Sequence, residues 1–102
     1  MTTSEGYQSR QPNRPGRYTY IAGATTTLVQ SGKGILKRIC VNTPVASQTI
    51  KLYDGLTAVN LFATLTHAAT APAPYTQHFE AQFNTGLTVV TSGADDVTVV
   101  WE

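Results

Sequence analysis

From Leu28 onward, apolar and polar positions alternate in short runs, and each run ends at glycine, asparagine, proline or aspartate. Alternation with a period of two puts successive side chains on opposite faces of an extended strand. No stretch repeats its apolar residues every three or four positions, as a helix would. Residues 24–30 predict a first strand, stiffened by the β-branched run Thr25, Thr26 and Thr27. The cluster Ser31-Gly32-Lys33-Gly34 then turns the chain. Residues 34–42 give the clearest strand, with Ile35, Ile39 and Val41 on one face beside Lys37, and Leu36, Arg38 and Cys40 on the other. Apolar side chains on both faces require a central place in a sandwich, or a second molecule covering one side.

Pro44 stops that strand, and residues 48–54 predict the next, Ile50 and Leu52 inward and Thr49, Lys51 and Tyr53 outward. Asp54-Gly55 signals a tight turn. Residues 60–66 put Leu61, Ala63 and Leu65 on one side, and the proline-rich stretch 71–74 cannot join a ladder. Residues 75–83 alternate cleanly, Phe79, Ala81 and Phe83 against His78, Glu80 and Gln82. Leu87 and Val89 point inward in the following strand, and Val97, Val99 and Trp101 close the core from the last. The expected class is all-β: an antiparallel β-sandwich or jelly-roll of about seven strands.

A length of 102 residues allows one domain. We divide it into a polar, basic N-terminal arm, 1–17, and a β-sandwich domain, 18–102. The arm carries Arg10, Arg14 and Arg17 around Pro12 and Pro15, with no aliphatic residue beyond Met1. Such a composition cannot offset the entropy of ordering, so the arm is expected to be flexible in isolation. The net charge is only +1, but it is split: residues 1–38 sum to +5 and the remainder to −4. That division suits association of basic with acidic surfaces. Cys40 is the single cysteine, which excludes an intramolecular disulfide and reads as a buried thiol between Ile39 and Val41. No apolar run reaches the roughly 20 residues of a membrane span, and no hydrophobic leader opens the chain, so the product is expected to stay where it is made.

The residues offer little for catalysis. His67 and His78 lie on different elements with no further ligands at metal spacing, and each reads as a surface histidine beside a loop. Asp95-Asp96 lacks the alternating acidic pattern and closing glutamate of a calcium loop and reads as a polar turn. Ser31, Ser47 and Ser92 sit in turns without a strand-to-helix elbow. The expectation is therefore no enzyme, no metal and no cofactor. Outward Tyr53, Phe62 and Tyr75 suit stacking on a sugar or packing on a neighbouring subunit. Three arginines in the arm can grip phosphates or lie across a protein surface as bidentate anchors, or simply be solvated.

Three segments carry a resemblance. The run Gly34-Ile-Leu-Lys-Arg-Ile-Cys-Val-Asn42, the strand Thr49-Ile-Lys-Leu-Tyr-Asp-Gly55 and the ending from Phe83 to Glu102 resemble small β-sandwich virion proteins of tailed bacteriophages. The likeness covers about residues 33–102 and leaves out the arm. It implies a structural role, foremost a capsid cement (decoration) protein on the outer shell. A neck or tail ring component is the alternative, and a carbohydrate-binding adhesin a third. Under the leading reading the partner is the major capsid protein and the protein is a homo-oligomer, a trimer being favoured. It is made in the host cytoplasm and ends on the capsid surface of the virion. Arg10, Arg14, Arg17 and Arg38 are the expected partner-binding residues. Neither a membrane nor nucleic acid is expected as a partner.

Overall fold

The computed structural model describes residues 16–70 and 72–102. They form eight strands, β1 (Arg17–Ala22), β2 (Thr25–Ser31), β3 (Gly34–Thr43), β4 (Thr49–Asp54), β5 (Leu61–Thr66), β6 (Tyr75–Phe83), β7 (Gly86–Thr91) and β8 (Asp96–Trp101). The strand beyond the expected seven is β1. It contributes a single buried apolar side chain, Ile21, too little to show as periodicity. Arg17 opens this strand opposite Trp101, so it belongs to the body and not to the arm assigned from sequence.

Sheet 1 has the order β1-β8-β3-β6 and sheet 2 the order β2-β7-β4-β5, antiparallel throughout. The pairs β1 with β8, β2 with β7, β3 with β6 and β4 with β5 are nested in sequence. They amount to one long hairpin folded across into two layers, which is the jelly-roll arrangement. Sheet 1 gives Ile21, Leu36, Ile39, Val41, Phe83, Val97, Val99 and Trp101 to the core, and sheet 2 gives Ile50, Leu52, Leu87 and Val89. Burial of each such large side chain stabilises the fold by about 1.5–3 kcal/mol.

β-Bulges reset the alternation in three strands. In β3, Leu36 faces Trp101 and Arg38 faces Val100, which leaves Lys37 without an opposite residue on β8. On the other side the same two residues face Ala81 and His78, so Phe79 and Glu80 stand opposite Lys37. Glu80 absorbs the slip with a left-handed backbone, φ 70°. Leu36, Ile39 and Val41 consequently all reach the core, while Ile35 is turned to solvent. This corrects the expected grouping of Ile35 with Ile39, and it removes the need for a second molecule over β3, which is already central in sheet 1. Val29 in β2 and Phe62 in β5 are extra residues of the same kind. The bulge at Phe62 leaves Leu61 exposed, against the inward position expected for it.

Candidate association surfaces

The chemistry-bearing residues fall into three places: a buried cluster at one end of the sandwich and the outward faces of the two sheets. The buried cluster joins the loops that follow β3, β5 and β7. Asp95 is fully buried, and its Oδ1 accepts a hydrogen bond from the Val45 amide at 2.7 Å. His67 is buried beside it, Nδ1 at 3.4 Å from Asp95 Oδ1 and 2.9 Å from the Val45 carbonyl oxygen. Both neighbours of Nδ1 are acceptors, so Nδ1 carries the hydrogen. In the neutral ring Nε2 then accepts from the Tyr75 hydroxyl, 2.8 Å away. Burial first, and the Asp95 charge second, push the Tyr75 phenol above its ordinary range. These hydrogen bonds link the loops that follow β3, β5 and β7.

These findings correct two readings. His67 is not a surface histidine, and Asp95, in the turn that enters β8 as expected, is fully buried, its Oδ2 without a hydrogen-bond partner. Nothing local marks His67, because its partners come from the β3–β4 loop, β6 and the β7–β8 turn. Tyr75 leaves the set of outward aromatics, since it packs on the core and bonds to His67. His78 is exposed, as expected.

On the outward face of sheet 1, Tyr18, Val100, Arg38 and His78 form a row across all four strands. The next row is Tyr20, Thr98, Cys40 and Thr76. Cys40 is thus half-buried on an outer face, not a core thiol. The Tyr20 hydroxyl donates to Asp96 Oδ2 at 2.7 Å, and this bond raises its pKa. Asn42 donates to Asp96 and to Thr98. Beside Arg38, the Lys37 ammonium lies 3.3 Å from Glu102 and 3.5 Å from Glu80.

Of the four arginines expected to bind a partner, Arg10 and Arg14 lie outside the described residues. The other two are not brought together. Arg38 stands in the outward row, whereas the Arg17 guanidinium lies over the indole of Trp101, 5.4 Å from the ring centroid, on the side of sheet 1 that faces the core. Trp101 itself is buried, as its place after Val97 and Val99 predicts.

Sheet 2 is different outside. Leu28, Thr88, Tyr53 and Leu61 make a row from one edge to the other, in which Leu28 is 47% and Leu61 52% exposed. Leu56, Val59 and Phe62 extend the exposed apolar surface around the β4–β5 loop. Asp54 fixes the base of that loop. Its carboxylate accepts from the amides of Thr85 and Asn84, and these bonds, Thr85 first, hold its pKa below the usual carboxylate range. Gly55 donates to the Gly86 carbonyl, and the buried Thr88 hydroxyl donates to Gly55. A Cβ on Gly86 would stand 2.9 Å from the Gln30 carbonyl oxygen and 3.0 Å from that of Gly55, so glycine is required there.

Sequence reasoning missed this surface, although it had a signal. Leu28-Val29 and Leu61-Phe62 are adjacent apolar pairs, which a regular strand cannot point the same way, and a bulge follows each leucine. In comparisons with known proteins, no family model, no curated sequence and no solved structure matches this chain.

Proposed function

We propose that this protein is a non-enzymatic structural protein of a tailed-bacteriophage virion, a cement protein that binds the outer capsid shell and stabilises the head. The observation that carries the reading is the exposed apolar surface of sheet 2, Leu28, Leu56, Val59, Leu61 and Phe62 on a domain of this size. A contiguous apolar surface rimmed by polar residues marks a place where another protein packs. The resemblance of residues 33–102 to small virion proteins names the kind of partner, the major capsid protein. Arg38, flanked by Val100 and His78, supplies a cationic contact on the opposite sheet. Contacts that exist only in the assembled shell add to its stability by mass action. Copies grouped as a trimer about a local threefold fit the symmetry of such a shell. The adhesin alternative needs Tyr53, Tyr75 or Trp101 lined up on one exposed platform; with Trp101 buried and Tyr75 bonded to His67, Tyr53 is left alone for it.

Purified shells assembled without the protein provide the test. Added protein is expected to bind at saturating stoichiometry, in copies far exceeding a single ring, and to raise the temperature at which shells open. Phe62→Glu is expected to weaken binding, and Arg38→Glu to weaken it in a salt-dependent way. Protein that leaves the shells uncoated and their opening temperature unchanged overturns the proposal. Binding at only a few copies per particle transfers the protein to a neck or tail ring.

A further inference from the structure

The four free edges of the sandwich are not equivalent. In sheet 1, β1 carries Arg17, and β6 carries His78 and Glu80, the latter in a left-handed bulge. Charges of this kind keep an edge from pairing with another strand, whereas bulges do not separate the two sheets, since β2 and β5 carry them at Val29 and Phe62. In sheet 2, neither β2 (Thr-Thr-Thr-Leu-Val-Gln-Ser) nor β5 (Leu-Phe-Ala-Thr-Leu-Thr) contains a charged residue or a proline. Each edge presents unpaired backbone donors and acceptors, which form a template for one more strand.

The two uncharged edges also match each other. Four strands that are antiparallel throughout make β2 and β5 run in opposite directions. Thus β5 of one copy meets β2 of a second as an antiparallel neighbour without either copy being inverted. Carrying the rows of sheet 2 across the joint sets Leu65, Thr64 and Ala63 against Thr25, Thr26 and Thr27 of the second copy. Past the Phe62 bulge the same rows set Leu61 against Leu28, the two half-exposed leucines at opposite ends of the row that runs through Thr88 and Tyr53. A foreign strand would use one edge and leave the other leucine in water, whereas a second copy uses both.

We infer that copies of this chain associate head to tail through sheet 2, β5 of one copy pairing with β2 of the next. The joint is heterologous, so it generates a ring when the rotation between copies closes. The inference deepens the assembly reading and rests on it for the purpose of association, but it is tested apart from shell binding.

The test uses the full chain with Cys40→Ser, so that introduced thiols are the only ones. Opposed residues on adjacent strands lie about 4.5–5.5 Å apart at Cα, within the span of a disulfide. Thr26→Cys and Thr64→Cys both fall at exposed positions. On mild oxidation their equimolar mixture is expected to cross-link between copies, while Thr64→Cys alone stays uncross-linked. In sedimentation equilibrium the parent chain is expected to show the mass of a closed ring. Leu61→Glu is expected to reduce it to a monomer, and Thr76→Glu on β6 to leave it unchanged. A monomeric parent chain, self-cross-linking of Thr64→Cys, or a ring indifferent to Leu61→Glu overturns the inference. A monomer that still coats shells refutes the edge joint and spares the cement reading. A ring that ignores shells does the opposite.

Discussion

Both sheets of this sandwich feed one core, yet their outward faces and free edges carry different chemistry. Sheet 1 shows solvent a network of hydroxyls, amides and charges, Tyr20 with Asp96, Asn42 with Thr98, and Lys37 between Glu80 and Glu102. Sheet 2 shows an exposed leucine at each edge, Leu28 and Leu61, with the buried Thr88 and half-buried Tyr53 between them and Lys51 in the next row. The difference teaches that the two layers of a jelly-roll can carry different outward chemistry while both draw stability from the same interior.

If the interior is shared, a cavity in either layer must cost alike. Ile39→Ala in sheet 1 and Leu52→Ala in sheet 2 each empty a fully buried site and are expected to lose about 2–5 kcal/mol. Urea unfolding checks this, and two separate transitions in either variant would break the claim of one cooperative core. The tie between the layers at the loop end comes next. Asp95→Ala leaves the Val45 amide unpaired, at an expected cost of about 1–3 kcal/mol measured in the same way. Hydrogen exchange should rise in the β3–β4 and β5–β6 loops and leave the Asp54 end untouched.

The third effect is confined to the opposite end. Asp54 has its pKa depressed by the Thr85 and Asn84 amides, so the folded state favours the ionised carboxylate. Its contribution is complete above the ordinary aspartate value of about 4 and disappears as pH falls through the lower folded value. Asp54→Asn is therefore expected to lower stability at neutral pH and to flatten its fall between about pH 5 and 2, seen as a urea midpoint that changes less with acid. The smallest effect concerns the charged edge. Glu80→Gln removes the exposed one of the two carboxylates beside the buried Lys37, which keeps Glu102, and is expected to change stability by about 0.2–1 kcal/mol, less at high salt. Glu80→Gly should lose even less in a thermal melt, because glycine adopts the left-handed backbone at position 80 without strain.

Strand positions were readable because turns and alternation are local. Ile50 and Leu52, Leu87 and Val89, and Val97, Val99 and Trp101 are all buried, as alternation requires. Alternation failed where bulges intervened, at Lys37, Val29 and Phe62, and those slips decide which of Ile35, Leu28 and Leu61 meet water. β1 went unrecognised because Ile21 alone marks its inner face. The His67 cluster was invisible for a different reason: Val45, Tyr75 and Asp95 become its neighbours only once the two layers have closed. The exposed leucines of sheet 2 were partly legible in the adjacent pairs Leu28-Val29 and Leu61-Phe62, but their place at the two edges was not, because strand order is not encoded in any single segment.

The nested pairing has a kinetic side. β4 and β5 are near neighbours in sequence, but β1 waits for β8, and the chain between them is almost the whole domain. Loops must be closed in order from the inside out, and each closure spans more chain than the one before, which places this domain among slow folders of high contact order. On the ribosome, Arg17 to Ala22 would stay unzipped until Trp101 had cleared the exit tunnel, with the bare edge of β5 formed early and exposed meanwhile to other nascent copies.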